Sequence, residues 1–423
     1  MRFIADLHIH SRYSRATSPD MSVENLWKWS QLKGIDVIGT GDFTHPKWFV
    51  ELKDKLEVTS NNLFKLKDNY RKHYIPESCR SEVFFMLTTE ISCIYSKNGR
   101  IRKIHNLVFI PDFNVASKIN AALSKIGNLS ADGRPILGLD AKELLKIIRD
   151  ISDKAMLVPA HAWTPHFSVF GSGSGFDSLE ECFEELAPYV YSIETGLSSD
   201  PAMNWRLSGL DHLTLISNSD AHSPAKLGRE ANIFDTDISY KAIIDAIKNK
   251  GGFLGTIEFF PQEGKYHYDG HRTCGIRLSP KETIKHNYLC PVCGKKVIIG
   301  VMHRVEKLAD REDGFRPEGA PPYYSVIPLS EIIAETLKVG VNSKAVVNEY
   351  FKLIEKLGNE FKILINASVD EIESAGSPLL SKAISRMRAG NVHIEPGFDG
   401  EYGKITIFEK TGKTEMINQK KLF

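Results

Sequence analysis

Two histidines separated by one residue, His8 and His10, stand in the opening stretch RFIADLHIHS. The same spacing joins Asp220 to His222 in NSDAH, far along the chain. In an extended segment residues two apart point to one side, so each pair aims two donors at one point. Glu90 could bridge two cations through its two oxygens, and His105 and His161 add neutral nitrogen donors. Mixed nitrogen and oxygen ligation of this kind suits Zn2+ or Mn2+, with Mg2+ at an oxygen-rich position. Cations held there would activate water and neutralise charge on phosphate oxygens, so the set points to hydrolytic phosphoryl transfer. Competing chemistries lack their signatures: the sequence shows no P-loop or Rossmann fingerprint, and GSGSG at 171–175 lacks the phosphate-loop lysine and reads as a flexible loop.

A second donor group lies in HRTCGIRLSPKETIKHNYLCPVCG, where His271 and Cys274 precede Cys290 and Cys293, each pair separated by two residues. Two such knuckles satisfy tetrahedral Zn2+, with three thiolates and one imidazole closing a structural site. His267, His286 and His303 are alternative fourth ligands. Cys79, Cys93 and Cys182 lie apart in apolar surroundings and read as core.

The elements that must position the first group are short apolar segments at 3–9, 34–42, 84–92, 104–110, 155–161, 189–195 and 212–222. Amphipathic stretches such as SVENLWKWSQLK, with Ser22 as its cap, DAKELLKIIRD and SYKAIIDAIKNK lie between several of them. This alternation predicts an α/β fold with largely parallel strands, and seven units suffice for a closed, distorted barrel. Asp42, His161, Glu194, Asp220 and His222 all fall at or near carboxyl ends of strands, where such folds collect their active sites. Glu194 suits a water-orienting base or a ligand, with a helix-cap or salt-bridge role as the alternative. Asp6 suits an orienting partner of a ligand histidine. Trp163 and His166 are candidates for substrate contact or for loop packing.

The 423 residues exceed one ordinary core and predict two or three domains. We expect divisions at 1–258, 259–312 and 313–423, the second around the cysteines and the third mainly helical. The chain carries 42% hydrophobic and 25% charged residues, and no apolar run is long enough to span a bilayer, so a cytoplasmic protein is expected. Glutamine occurs only at 31, 262 and 419, a bias compatible with heat adaptation.

A formal charge of +1 gives no global argument for nucleic acid, so the local distribution must supply one. Between 271 and 309, Arg272, Arg277, Lys281, Lys285, Lys295, Lys296, Arg304 and Lys307 face only Glu282 and Glu306. Arg100, Arg102 and Lys103 form a second basic patch, and Arg386 and Arg388 a third. Basic patches beside a phosphoesterase centre favour a polynucleotide over a small phosphate ester. Tyr323 and Tyr324 would stack on bases or anchor a linker, the latter preferred.

The ordered stretches DLHIHS, GTGDFTH, TTE, IH, PAH and NSDAH resemble the polymerase and histidinol phosphatase (PHP) superfamily over roughly residues 1–255. The resemblance implies a distorted (β/α)7 barrel and up to three divalent metals. His8, His10, Glu90, His105, His161, Asp220 and His222 match its ligands, and Asp42 fits an acidic ligand position. Two departures stand out: Ser14 and Arg15 occupy the place of a third early ligand, and Phe43 replaces a common imidazole, which His45 or a shifted Asp42 would have to offset.

With the HxxC and CPxCG segment and the stretch GNVHIEPGFDGEYGKI, the motif order resembles the endonuclease Q family over nearly the whole chain. That resemblance implies a DNA-repair enzyme of archaea and some bacteria. Its members incise DNA on the 5′ side of uracil, hypoxanthine, xanthine and abasic sites, leaving 3′-hydroxyl and 5′-phosphate ends; in this chain Glu194 and Asp220 are the expected catalytic residues. Structural Zn2+, an active-site metal and Mg2+ or Mn2+ for cleavage are the expected cofactors, DNA the expected partner and a monomer the expected assembly. NQKKLF at 418–423 resembles the start of a sliding-clamp peptide. A histidinol-phosphatase-like enzyme and a non-catalytic DNA-binding scaffold are the competing readings.

Overall fold

The computed structural model describes residues 1–408, so the candidate clamp segment at 418–423 lies outside the described residues. All seven expected strands form. Arg2–Asp6 pairs in parallel with Val37–Gly39, which pairs in parallel with Phe84–Lys97. Arg100–Ile110 runs antiparallel to Phe84–Lys97, and Met156–Pro159 runs antiparallel to Arg100–Ile110. Ser192–Glu194 and Thr214–Ile216 pair in parallel. Two backbone links tie these strands together: Ala162 N donates to Glu194 O at 2.8 Å, and Ile9 bridges Ala221. On the far side of Arg2–Asp6, Ala231–Asp235 and Phe253–Glu258 add in antiparallel register.

The sheet is therefore mixed, where the alternation of elements predicted mostly parallel strands. The cause is local. Asn98 and Gly99 take φ of 53° and 70°, the pair of left-handed conformations that a two-residue hairpin turn requires. They fold Phe84–Lys97 directly back on Arg100–Ile110, with Lys97 opposite Arg100. Glu90 and His105 consequently lie on neighbouring antiparallel strands.

Val37–Gly39, Met156–Pro159 and Thr214–Ile216 end earlier than their apolar runs, and the polar residues beyond them leave the sheet. Asp42, His161 and Asp220 adopt positive φ of 49°, 30° and 47°. Non-glycine residues pay for this conformation, and such strain concentrates where side-chain direction matters.

The helices follow the amphipathic pattern. Val23–Lys33 is capped by Ser22, Ala141–Ile151 by Asp140 and Tyr240–Asn249 by Ser239, each cap side chain accepting a backbone N–H. Leu144, Leu145 and Ile148 face the core from the second helix, and Ile243, Ile244 and Ile247 from the third. Each such side chain contributes roughly 1.5–3 kcal/mol on burial.

The later chain is joined closely to these strands. Tyr323–Ser325 pairs in parallel with Phe253–Glu258, and Tyr323 packs on Trp205, which is the anchoring role. The helices Leu329–Leu337, Lys344–Leu357, Val369–Ala375 and Pro378–Arg388 form the helical part. Glu360 within it accepts from buried Lys33 at 2.7 Å and from the Tyr350 hydroxyl at 2.8 Å. The final hairpin, His393–Glu395 with Lys404–Thr406, lies against the cysteine segment, where Tyr268 N donates to Gly397 O. Among the described residues no helix is long and apolar enough to cross a membrane.

Candidate metal centre

Leu7 and Ile9 are buried on one side of the first strand and its extension, while Asp6, His8 and His10 are buried as well. Buried polar groups need partners, and these have them on one edge only. His8 Nδ1 lies 3.0 Å from Glu194 Oε1, and His10 Nδ1 lies 3.1 Å from Asp42 Oδ1. The other nitrogen of each ring, Nε2, has no hydrogen-bond partner, and neither has Asp220 Oδ1. His10 Nε2 stands 3.0 Å from Asp220 Oδ1 and 3.2 Å from Glu90 Oε2, close in distance but without hydrogen-bond alignment. The unpartnered atoms of His8, His10 and Asp220 converge with a Glu90 oxygen on one point, an arrangement that fits a cation.

Glu90, His105 and His161 form a second donor set that shares Glu90 with the first. Glu90 Oε1 lies 2.6 Å from His105 Nδ1 and 2.9 Å from His161 Nε2, while Oε2 faces the first set. A carboxylate with one oxygen in each set is placed to bridge two ions. Burial pushes the His105 imidazole down to about 4 despite the neighbouring Glu90. Burial opposes ionisation of Glu90, yet His105 and Arg134 outweigh it and hold its carboxyl well below the usual range. At His8 and His10 burial disfavours the imidazolium, but Glu194 and Asp220 at the first and Asp42 at the second raise both well above the ordinary value.

Two expected members of the donor group stand behind it. Asp42 Oδ2 accepts from Ser11 N at 2.7 Å, Ser11 Oγ at 2.6 Å and Ser14 Oγ at 2.9 Å, and its Oδ1 faces His10. Glu194 accepts from His161 N at 2.8 Å and Asn218 Nδ2 at 2.9 Å besides His8. Both carboxylates therefore orient the imidazoles of His8 and His10 and raise their basicity, the role expected of Asp6. Asp6 instead accepts from Ser219 N and Gly228 N and fixes the loop that carries Asp220. His222 sits beside the centre with its ring 4.6 Å from that of His10, outside the four-residue donor set, its Nδ1 2.9 Å from the Asp220 carbonyl. Phe43 is core. His45 is buried against Tyr13 and joins neither donor set.

The cysteine segment assembles as its spacing predicts, with donor atoms of His271, Cys274, Cys290 and Cys293 all within 4.8 Å of one another. The alternative histidines are elsewhere: His303 Nδ1 pairs with Asp269 at 2.7 Å, His267 stacks on Tyr268, and His286 ends a short helix.

The basic residues divide. Arg100, Lys295 and Lys296 are exposed, and Lys103 is half-buried over the Phe167 ring. Arg102 is buried over Phe176 and donates to Gly175 O, so it braces the glycine loop. Arg277 donates to Pro396 O and Arg386 to Ile407 O. Arg388 donates to the carbonyls of Ile363, Leu364 and Ala367, closing a helix end instead of offering a free fork. The backbone N–H of Arg272 donates to Asp399. Trp163 is buried with its indole N–H on Asn204, a packing role, whereas His166 lines a cleft of about 990 Å³. Phe167, 4.7 Å from the His105 ring, links that cleft to the metal centre, and Glu263 and Tyr402 stand among its other lining residues.

Arg134 carried no signal in the sequence, yet its Nη1 donates to Glu90 Oε2 at 2.9 Å.

A mixed α/β fold with a buried cluster of imidazoles sharing one carboxylate defines a PHP-type metal-dependent hydrolase, and a family model described as PHP-associated matches residues 211–250. A second model, described as the MJ0043 C-terminal domain, matches residues 328–391. The lesion-specific endonuclease PfuEndoQ from Pyrococcus furiosus superposes with a TM-score of 0.84 at 30% identity, covering 98% of both chains. An endonuclease Q solved with a 27-mer duplex bearing an abasic lesion at the active site superposes at 0.82, also 30% identical, over 99% of this chain and all of that one. The chain belongs to the endonuclease Q family. Protein MJ0043 of Methanocaldococcus jannaschii is 37% identical over 254 residues, where the chain spans about a third (31%) of that relative's length. YqxK of Bacillus subtilis is 28% identical over 96% of this chain and 99% of its own.

Proposed function

We propose that the protein is a metal-dependent DNA-repair endonuclease that hydrolyses the phosphodiester on the 5′ side of deaminated bases and abasic sites. The observation that carries this reading is the match along nearly the whole chain to an endonuclease solved on an abasic-lesion duplex. The converging donor atoms of His8, His10, Glu90 and Asp220 support hydrolysis as the chemistry. In this reading the seven strands form a distorted (β/α)7 barrel over residues 1–258, followed by a zinc module at 259–312 and a helical DNA-binding part at 313–423.

Divalent cations, Zn2+ with Mg2+ or Mn2+ for cleavage, would acidify water and neutralise the phosphate as its geometry changes. His8, His10, Glu90 and Asp220 hold one set of ligand atoms, and Glu90, His105 and His161 the other. Glu194 and Asp42 fix the two imidazole rings so that Nε2 of each points into the site. Water oxygen bonds to phosphorus while the bond to the 3′ oxygen breaks. The electron pair stays with that oxygen, which ends as a hydroxyl carrying a proton from the water, and the other end is a 5′-phosphate. Arg100, Lys103, Lys295 and Lys296 guide the backbone by charge. The adjoining cleft takes the extruded lesion nucleotide, since choosing a lesion by its base edge requires that base to leave the stack. His271, Cys274, Cys290 and Cys293 would hold Zn2+, which would stiffen the wall beside it. The reading includes a working monomer and a sliding-clamp contact through NQKKLF, and gel filtration with and without a clamp tests both.

The test is a panel of end-labelled duplexes, each with one uracil, hypoxanthine, xanthine or abasic site, in Mg2+ or Mn2+. Nicking on the 5′ side of the lesion with the undamaged duplex intact is expected. Equal cleavage of both, or faster phosphate release from histidinol phosphate, overturns the proposal.

A further inference from the structure

Arg134 reaches the centre from the segment Asp132–Pro135, which lies between secondary-structure elements but is pinned along its length. Asp132 Oδ1 accepts from Arg15 N at 3.2 Å and from Arg134 N at 3.1 Å. Gly133 N donates to Tyr13 O at 3.0 Å, and Pro135 O accepts from Ser92 N at 3.0 Å. A Cβ at Gly133 would fall 2.3 Å from both Asp42 Oδ2 and Ser14 Oγ, so the bare backbone of this loop fills the space beside Asp42. Among the described residues the centre has two donor sets where up to three cations were expected, and the Arg134 guanidinium places a fixed positive charge against the carboxylate they share.

Its geometry suits an anion. Nη1 is engaged by Glu90, which is fully buried, while about a quarter (26%) of the Arg134 side chain stays open to solvent. A guanidinium has five N–H donors in a rigid fork, so donors remain for a second acceptor.

We propose that Arg134 is a further catalytic residue, whose guanidinium binds a non-bridging oxygen of the scissile phosphate and supplies there the charge of a fixed cation. This rests on reading the centre as a phosphodiesterase. As water bonds to phosphorus and the 3′ oxygen departs, charge grows on the non-bridging oxygens. A donor held in place beforehand stabilises that state more than the ground state. A residue that merely neutralised Glu90 would act through metal binding alone.

The test compares wild type with R134K, R134Q and R134A. Metal content per chain is measured by mass spectrometry, and affinity for a phosphorothioate duplex by anisotropy. kcat and KM are measured on a lesion duplex and on bis(p-nitrophenyl) phosphate, with and without added guanidinium. The expected result is unchanged metal content with kcat lowered by about 100- to 1,000-fold on both substrates. R134K should recover little, because charge without the fork is insufficient, and guanidinium should partly rescue R134A. Metal content that falls in step with rate, or kcat that is unchanged at saturating metal, overturns the proposal. If wild type hydrolyses bis(p-nitrophenyl) phosphate but ignores lesions, the lesion reading fails, and the bis(p-nitrophenyl) phosphate rates judge Arg134 by the same criteria.

Discussion

His8 and Glu194 form a carboxylate–imidazole pair, with Nδ1 3.0 Å from Oε1 and the opposite ring nitrogen left for the centre. The same relation recurs between Asp42 and His10. Removing the carboxylate charge should loosen the ring without removing the ligand. Glu194→Gln is expected to weaken metal binding by about 10- to 100-fold. Calorimetric titration of the stripped protein checks this, and a variant that instead keeps its affinity would place Glu194 outside the metal site altogether.

Glu90 belongs to both donor sets, whereas His105 belongs to one. Glu90→Ala should therefore reduce bound metal at both positions, and His105→Ala at one only. Metal analysis after dialysis against a weak chelator separates the two outcomes.

Glu258 is wholly buried, and burial pushes its carboxyl up to about 8. Its proton affinity is thus higher in the folded protein than in the unfolded chain, where a glutamate has its ordinary value of 4.5. The folded state binds the extra proton, so the stability from this group is fully present below the unfolded value and is lost as pH rises through about 8. Urea titrations from acid to alkaline pH should show that decline, and Glu258→Gln should flatten it while keeping the acceptor for Ser217.

Lys33 and Glu360 pair at 2.7 Å with both side chains buried, joining an early helix to the later helical part. Lys33→Met leaves the carboxylate without its counter-charge and should cost about 3–5 kcal/mol. Lys33→Met combined with Glu360→Gln should recover part of the loss, as urea denaturation of the three proteins would show.

Much of this architecture was legible because apolar strands and capped amphipathic helices are local patterns. The seven strand positions and the cap at Ser22 follow from residues a few places apart. The cysteine quartet was legible for the same reason, its two knuckles fixing the donor spacing. Asp42 and Glu194 were not distinguishable from ligands, since an acid at a strand end looks the same whether it meets the cavity or an imidazole's back edge. Arg102 and Arg388 looked like phosphate contacts, yet they serve the protein's own carbonyls, a choice set by distant backbone. The hairpin at Asn98–Gly99 did carry a signal, the Asn-Gly pair between strand-forming residues, and it was outweighed by the expected strand–helix alternation. Arg134 had none, for its place depends on Tyr13, Arg15 and Ser92 pinning its loop.

The central claim is that the buried cluster is the hydrolytic centre of a lesion-directed nuclease. The most direct measurement is single-turnover cleavage of an end-labelled duplex carrying one deoxyuridine, by wild type and by His10→Ala at equal Mn2+. One product ending immediately 5′ of the lesion, formed by wild type and lost in the variant while duplex binding persists, is the predicted result. Equal cleavage by the two proteins would contradict it.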